Sequence, residues 1–142
     1  MEQDDIPMTV TVSLRATAPA GDLGSLAMAL SLPASAQWQA GEARTTPRGT
    51  PLEGIRTESY IALKILPTER AWLSDAIGRC LDMLEPHRQR LDEFRANGVD
   101  LELFVGWFLE RSGGESLRPA MMQRLADLGL SLSLDIYPAV PA

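Results

Sequence analysis

The sequence predicts an α/β two-layer sandwich with a ferredoxin-like sheet of about four strands, covered on one face by helices. Four stretches alternate apolar and polar residues at the period of a half-buried strand. The stretches between them repeat apolar residues at the period of an amphipathic helix. Because a sheet covered on both faces has nearly continuous apolar strands, the alternation indicates that helices cover only one face.

The chain begins with a strand and a short helix. The strand is predicted over residues 8–17, in which every second residue is apolar. Asp22 is a suitable N-cap for a helix that ends before Pro33, because its carboxylate can accept a hydrogen bond from a free N–H group of the first turn. The N-terminal part is therefore predicted to be a strand–helix unit.

Residues 33–57 are predicted to form a long loop, in which a short hairpin is one possibility. The stretch holds three prolines and three glycines and has no sustained hydrophobic period. Loops of this length in compact domains usually carry function. The three arginines and two glutamates of the loop give it a net charge of +1, whereas the whole chain carries −6. An anion would meet a locally basic surface here.

A second strand, a helical pair and a third strand are predicted to follow the loop. The second strand covers residues 59–66 and ends at Pro67, and Thr68 is predicted to cap the next helix. Pro86 removes a backbone donor and predicts a break between two helical segments. A helical hairpin with this break would return the chain to its starting end, so the second strand and the third, over residues 99–110, are expected to be antiparallel.

A third helix and a fourth strand complete the predicted fold. The helix covers residues 117–128 and ends at Gly129, and the strand covers residues 130–137 and ends at Pro138. The whole chain, residues 1–142, is predicted to be a single domain, with tails over residues 1–7 and 138–142.

The composition disfavours several classes of function. The chain has 13 basic and 19 acidic residues among 142, a balance that argues against general nucleic-acid binding. One histidine, His87, and one cysteine, Cys80, are too few for a His/Cys metal site or an internal disulfide. An acidic start and the lack of an apolar run of about 20 residues predict a cytoplasmic protein without membrane contact. No cofactor, catalytic residue or metal ligand is predicted.

Several short motifs resemble the bacterial domain-of-unknown-function 4279 family. They are Leu32-Pro33 followed by Trp38 and Gly41, Tyr60-Ile61-Ala62-Leu63 ahead of an amphipathic helix, and the closing Leu125-Ala126-Asp127-Leu128-Gly129-Leu130 with Leu134-Asp135-Ile136-Tyr137. The resemblance covers nearly the whole chain, and Tyr60 departs from it, since Trp is more frequent there. It implies a small bacterial intracellular α/β domain, and it brings no activity, cofactor or catalytic residue.

The polar face of the predicted sheet is the first candidate site. Alternation places four aromatic residues on it, Tyr60, Phe104, Phe108 and Tyr137. Aromatic groups rimmed by polar residues are typical of protein interfaces, so the leading hypothesis is a non-catalytic protein-interaction module. Its partner would be a second copy or an effector or toxin. RNA stacking on the same face is disfavoured by the acidic charge. A further alternative is that the loop or the C-terminal tail covers Phe104 and Phe108.

The 33–57 loop is the second candidate site, formed by Trp38, Gly41, Arg44 and Arg48. Arginine can bind a carboxylate or phosphate through two parallel hydrogen bonds, and tryptophan can supply an apolar wall. These residues predict the alternative function, which is binding or turnover of a small anionic metabolite. The simpler interpretation is that Trp38 anchors the loop on the core and the arginines are solvated.

Acid–base chemistry by Glu102, Glu110 and Asp135 is the third candidate. Carboxylates on neighbouring strands can differ in pKa and act as acid and base. Acidic residues on strands more often keep the edge of a sheet soluble. The spacing of these three residues does not by itself indicate a catalytic site. The sequence therefore leaves enzymatic activity uncertain and favours a protein without it.

Overall fold

A five-stranded mixed sheet organises the computed structural model, which describes residues 5–138. The sheet contains β1 (Met8–Ala18), β2 (Ala34–Trp38), β5 (Ser59–Arg70), β6 (Asp100–Leu109) and β7 (Leu130–Tyr137). Two further strands, β3 (Ala43–Thr45) and β4 (Pro51–Ile55), form a separate hairpin. The helices are α1 (Gly24–Leu30), α2 (Leu73–Leu84), α3 (Arg88–Ala96) and α4 (Pro119–Asp127), and a 3₁₀ turn over Glu85–His87 joins α2 to α3.

The strand order is β2-β5-β1-β6-β7, with β1 at the centre. β1 is antiparallel to both β5 and β6, β2 is antiparallel to β5, and β6 and β7 are parallel. Leu14 in the middle of β1 lies opposite Leu63 on one side and Leu103 on the other. The sheet is therefore mixed, and its two outer strands are β2 and β7.

The hydrophobic core lies between one face of the sheet and the helices. The even-numbered residues of β1 from Met8 to Ala18 are buried, and the odd-numbered residues from Thr9 to Thr17 are half-buried. Leu26 of α1, Ile77 of α2 and Leu125 of α4 join the same buried cluster. The structure thus fits an α+β two-layer sandwich, as the alternation predicts. We call the other side of the sheet the open face; it carries Trp38, Tyr60, Ala62, Lys64, Thr9, Thr11, Ser13, Arg15, Thr17, Asp100, Glu102, Phe104, Gly106, Phe108, Ser131, Ser133, Asp135 and Tyr137.

The prediction of about four strands is one strand short, because β2 lies within the stretch predicted as a loop. β2 follows Pro33 directly, and four of its five residues are exposed, so it lacks the apolar alternation of a half-buried strand. The hairpin of β3 and β4 is exposed along its whole length. Residues 33–57 therefore contain an edge strand and a hairpin. The ferredoxin-like character of the sheet stays a prediction.

Pro67 does not end the second predicted strand. β5 continues to Arg70, and its register against β1 shifts so that Val12 faces Leu66 whereas Val10 faces Glu69. A bulge of this kind tolerates proline, because a bulged residue leaves the hydrogen-bond ladder. Thr68 is therefore part of the strand, and it does not cap the next helix. The N–H groups of Leu73 and Ser74 at the start of α2 instead donate to the carboxylate of Glu115.

The break at Pro86 is present, but it does not form the expected helical hairpin. Pro86 lies in the first turn of the 3₁₀ segment that continues α2, and Glu85 and Arg88 keep right-handed helical backbone angles. β5 and β6 are each antiparallel to β1, so they run parallel to each other with β1 between them. The expectation of antiparallel second and third strands is therefore wrong, and the helical segment is a crossover connection.

The predicted tails lie mostly outside the described residues. Within the N-terminal one, Ile6 belongs to the buried core, and the carbonyl of Pro7 accepts a hydrogen bond from the N–H group of Glu110 at 2.9 Å. None of the helices in residues 5–138 is long and apolar enough to cross a membrane.

Candidate functional site

The first aromatic contact of the open face lies at the β2 edge. Trp38 and Tyr60 are register partners, and their rings stack with centroids 4.5 Å apart. The guanidinium carbon of Arg56 lies 3.8 Å from the centroid of the Trp38 ring, within the range of a cation–π contact. These three half-buried side chains form one stack, with Trp38 between the guanidinium and the phenol.

The base of the β3–β4 hairpin holds Arg56 in this position. The N–H of Gly41 donates to the carbonyl of Arg56, and the N–H of Arg56 donates to the carbonyl of Glu42, both at 2.8 Å. The guanidinium also donates from Nη2 to the carbonyl of Thr45 at 3.0 Å. Gly41 has a φ of +92°, a left-handed value that favours glycine in the turn entering the hairpin.

The second aromatic contact lies in the middle of the open face. The guanidinium carbon of Arg15 on β1 is 3.5 Å from the centroid of the Phe104 ring on β6. Nη1 of Arg15 is also 3.5 Å from Oε1 of Glu102, its direct register partner. Because about a third of each charged side chain is exposed, this ion pair is worth at most about 1 kcal/mol. Arg15 thus contacts both the Phe104 ring and the Glu102 carboxylate.

The third aromatic contact lies at the β7 edge. Phe108 and Tyr137 are register partners whose rings stack at 4.5 Å with an interplanar angle of 7°. They are 37% and 48% exposed, so the stack faces solvent. Gly106 leaves space for it, since a Cβ atom there would lie 2.9 Å from Thr11 Cγ2 and 3.4 Å from the Phe108 ring. A side chain at position 106 would have to displace the Thr11 methyl group and would press against the Phe108 ring.

A cavity of about 390 Å³ separates the first two contacts. Arg15, Tyr60, Glu58 and Glu102 line part of it. Burial raises the pKa of the Tyr60 phenol, Arg15 lowers it, and Glu102 raises it. The phenol is therefore protonated at neutral pH and can donate a hydrogen bond to a group that enters the cavity.

A second cavity, of about 310 Å³, lies beside the hairpin. Trp38, Arg44 and Arg56 line it together with Glu58. Nη1 of Arg44 donates to the carbonyl of Glu53 across the hairpin at 3.2 Å. Two guanidinium groups and an indole thus meet at one exposed site, which could hold a carboxylate or a phosphate.

The loop residues predicted as an anion site are only partly brought together. Trp38 and Arg44 line the 310 Å³ cavity, whereas Arg48 lies in the turn between β3 and β4, and Gly41 lies at the base of the hairpin. Arg56 takes the place that the sequence suggested for Arg48. The hairpin pairing of Ala43 with Ile55 sets this arrangement, and the loop sequence alone carries no signal for it.

The predicted aromatic set lies on the open face, divided among the three contacts. Phe108 and Tyr137 form one contact, Tyr60 belongs to the β2 edge, and Phe104 lies between them. Sequence analysis missed Arg15 and Arg56 as partners of these rings. Alternation does place Arg15 on the same face as the aromatic residues, which is the one available signal for its contact.

The three predicted carboxylates do not meet. Glu102 pairs with Arg15, and Nη1 of Arg70 lies 2.7 Å from Oε1 of Glu110. Glu102 and Glu110 are eight residues apart, about 26 Å along an extended strand. That distance exceeds the separation at which two carboxylates share a substrate. Within residues 5–138, no group of three or more His, Cys, Asp or Glu side chains could hold a metal ion.

Comparison with known proteins finds a family model that matches the chain, but no individual protein that does. A family model described as Domain of unknown function (DUF4279) matches residues 8–139, nearly the whole chain. Among curated proteins and among solved structures, nothing matches the chain.

Proposed function

The chain belongs to the DUF4279 family, and we propose that it is a non-catalytic protein-interaction module whose binding surface is the open face. One observation carries the proposal: three partly exposed aromatic contacts are spread across this face, from Trp38 and Tyr60 at one edge through Phe104 to Phe108 and Tyr137 at the other. Such a spread offers a partner several anchor points on the side of the sheet that the helices of residues 5–138 leave uncovered.

The composition of the open face supports this proposal. Tryptophan, tyrosine and arginine are the residues that most often dominate binding energy at protein interfaces. Here Trp38, Arg15 and Arg56 are already held in stacked contacts, so they lose little side-chain entropy when a partner binds. Charges of both signs, such as Arg15 and Glu102, lie side by side on the face. A mixed surface of this kind suits another protein better than a polyanion.

The proposed occupant is a protein such as an effector or toxin, which the chain would inhibit or sequester. A dimer joined through the two open faces is the other form that an interaction module could take, and loss of self-association in Phe104→Asp would reveal it. We also propose that the protein acts in the bacterial cytoplasm, and the buried, free Cys80 suits a reducing compartment of this kind.

Phe104→Asp tests the open face. The new carboxylate would replace the ring under Arg15 and lie beside Glu102, so we expect partner affinity to fall at least about tenfold, the loss of about 1.4 kcal/mol. The measurement is quantitative recovery of bound proteins by immobilised variants, with affinity determined for the protein recovered.

Met28→Asp is the matched control, since Met28 is 82% exposed and lies on α1, in the helical layer. It should retain the partner that Phe104→Asp loses. Equal recovery and unchanged self-association by a correctly folded Phe104→Asp variant would remove the open face as the binding surface.

A small anionic metabolite is the second candidate function, favoured by the 310 Å³ cavity in which Arg44 and Arg56 meet Trp38. In a thermal-shift screen of phosphorylated and carboxylated metabolites, a ligand at 100 times its dissociation constant should add about 2.7 kcal/mol of stability. Arg44→Ala and Arg56→Ala should abolish the shift. Arg48→Ala should retain it, since Arg48 lies in the hairpin turn outside the cavity lining. A shift that survives both cavity variants would place the ligand elsewhere.

A further inference from the structure

The outer edge of β7 is a long strand edge without a partner in the described part of the chain. β7 is last in the strand order and pairs only with β6. Its pairing is regular along the whole strand, from Leu101 opposite Leu130 to Phe108 opposite Tyr137. A second row of backbone donors and acceptors is therefore available on the side away from β6.

This edge lacks the features that usually prevent strand edges from pairing. β2, the opposite edge, has only five residues and an irregular register between Ala34 and Ala36. β7 has eight residues, no proline, glycine, lysine or bulge, and a single charged residue, Asp135. Leu134 and Ile136 on its helical side are 36% and 52% exposed. A long, regular and apolar edge of this kind is a template for another strand.

We propose that β7 pairs antiparallel with β7 of a second copy, so that the two sheets become one continuous sheet. The strand is self-complementary about Leu134. A two-fold axis at Leu134 places Leu132 opposite Ile136, Ser133 opposite Asp135, and Ser131 opposite Tyr137. Apolar side chains then meet on the helical side, and polar side chains meet on the open side, because residues opposite each other point to the same face.

The charge of the strand supports the same register. With the axis at Leu134, the carboxylate of Asp135 lies opposite the hydroxyl of Ser133. An axis at Asp135 would place two carboxylates directly opposite each other, which is unfavourable. A two-fold axis perpendicular to the sheet also keeps both helical layers on one side and joins the two open faces into one surface.

Cysteine cross-linking tests the pairing and its register. Burial raises the pKa of Cys80, the one native cysteine, to about 12, so an introduced thiol is the reactive one. At the two-fold axis, the Cβ atoms of Leu134→Cys in the two copies would lie about 4.5–5.5 Å apart, close to disulfide geometry. Those of Ile136→Cys, a matched control on the same face, would lie about 13 Å apart, since they are offset by four residues.

We expect Leu134→Cys to form a disulfide-linked dimer more than about tenfold faster than Ile136→Cys under mild oxidation, and this preference to vanish in denaturant. Sedimentation should show a wild-type dimer, which Leu134→Lys converts to a monomer and Met28→Lys leaves intact. A monomeric wild type, or equal cross-linking rates for the two cysteine variants, would overturn the proposal.

Discussion

Leu14→Ala is expected to lower the free energy of unfolding by about 3 to 4 kcal/mol and the thermal midpoint by about 10 °C. Leu14 is fully buried at the centre of β1, and its register partners Leu63 and Leu103 are fully buried too. Alanine would remove three carbon atoms from the layer between the central strands and the helices. Because both neighbouring strands are held by hydrogen bonds, the surroundings can close the cavity only in part, which places the loss in the middle of the known range.

Urea unfolding of Leu14→Ala and of Met28→Ala provides the measurement and its control. Met28 is 82% exposed, so its truncation should change stability by less than about 0.5 kcal/mol. The urea dependence should be the same for both variants, since each exposes almost the same surface on unfolding. A loss below about 1 kcal/mol for Leu14→Ala would contradict its place at the centre of the core.

The strands whose residues alternate between apolar and polar could be predicted closely from the sequence. β7 covers residues 130–137, the range that its alternation predicts, and β1 extends only one residue beyond its predicted end. In β1 every second residue is buried against the helical layer, whereas in β7 the same alternation continues past the buried Leu130 to the exposed Leu134 and Ile136. The alternation of apolar and polar residues therefore predicts where these two strands begin and end.

The elements that sequence analysis missed are those that tertiary pairing stabilises. β2 pairs on one side only, and its side chains are mostly exposed, so no apolar period marks it. Pro67 is a local signal to end a strand, but the bulge opposite β1 accommodates it, and pairing continues to Arg70. In each case the deciding partner is a strand distant in the sequence.

In the candidate site, the sequence predicts which residues share a face of the sheet, but it does not predict which of them are in contact. Alternation places Arg15 and Phe104 on one face, yet their contact depends on the register of two strands about ninety residues apart along the chain. Arg56 reaches Trp38 only because the hairpin folds back on itself. Hairpin geometry is decided by pairing across the turn, so the arginine nearest to the aromatic ring could not be chosen from the loop sequence.

Ser59→Ala is expected to lower the free energy of unfolding by about 1 to 3 kcal/mol and to loosen the hairpin base. Ser59 is a fully buried polar residue at the start of β5. Its hydroxyl donates to the carbonyl of Gly21 and accepts a hydrogen bond from the N–H of Ala40 at 3.0 Å. One side chain thus joins the loop after β1, the entry to the hairpin and the first residue of β5. Alanine would leave both backbone groups without this partner, which accounts for the expected loss.

Hydrogen exchange distinguishes this local effect from a general loss of stability. The N–H groups of Gly41 and Arg56, which close the hairpin base, should exchange faster in Ser59→Ala than the loss of global stability explains. Exchange in the central strands should quicken only by the amount that this global loss predicts. Ser35→Ala is the matched control, since the Ser35 hydroxyl donates to the carbonyl of Ala62 from an exposed position on β2. It should change stability by less than about 0.5 kcal/mol. Unchanged exchange at the hairpin base in Ser59→Ala would mean that the hairpin pairing alone keeps Arg56 over Trp38.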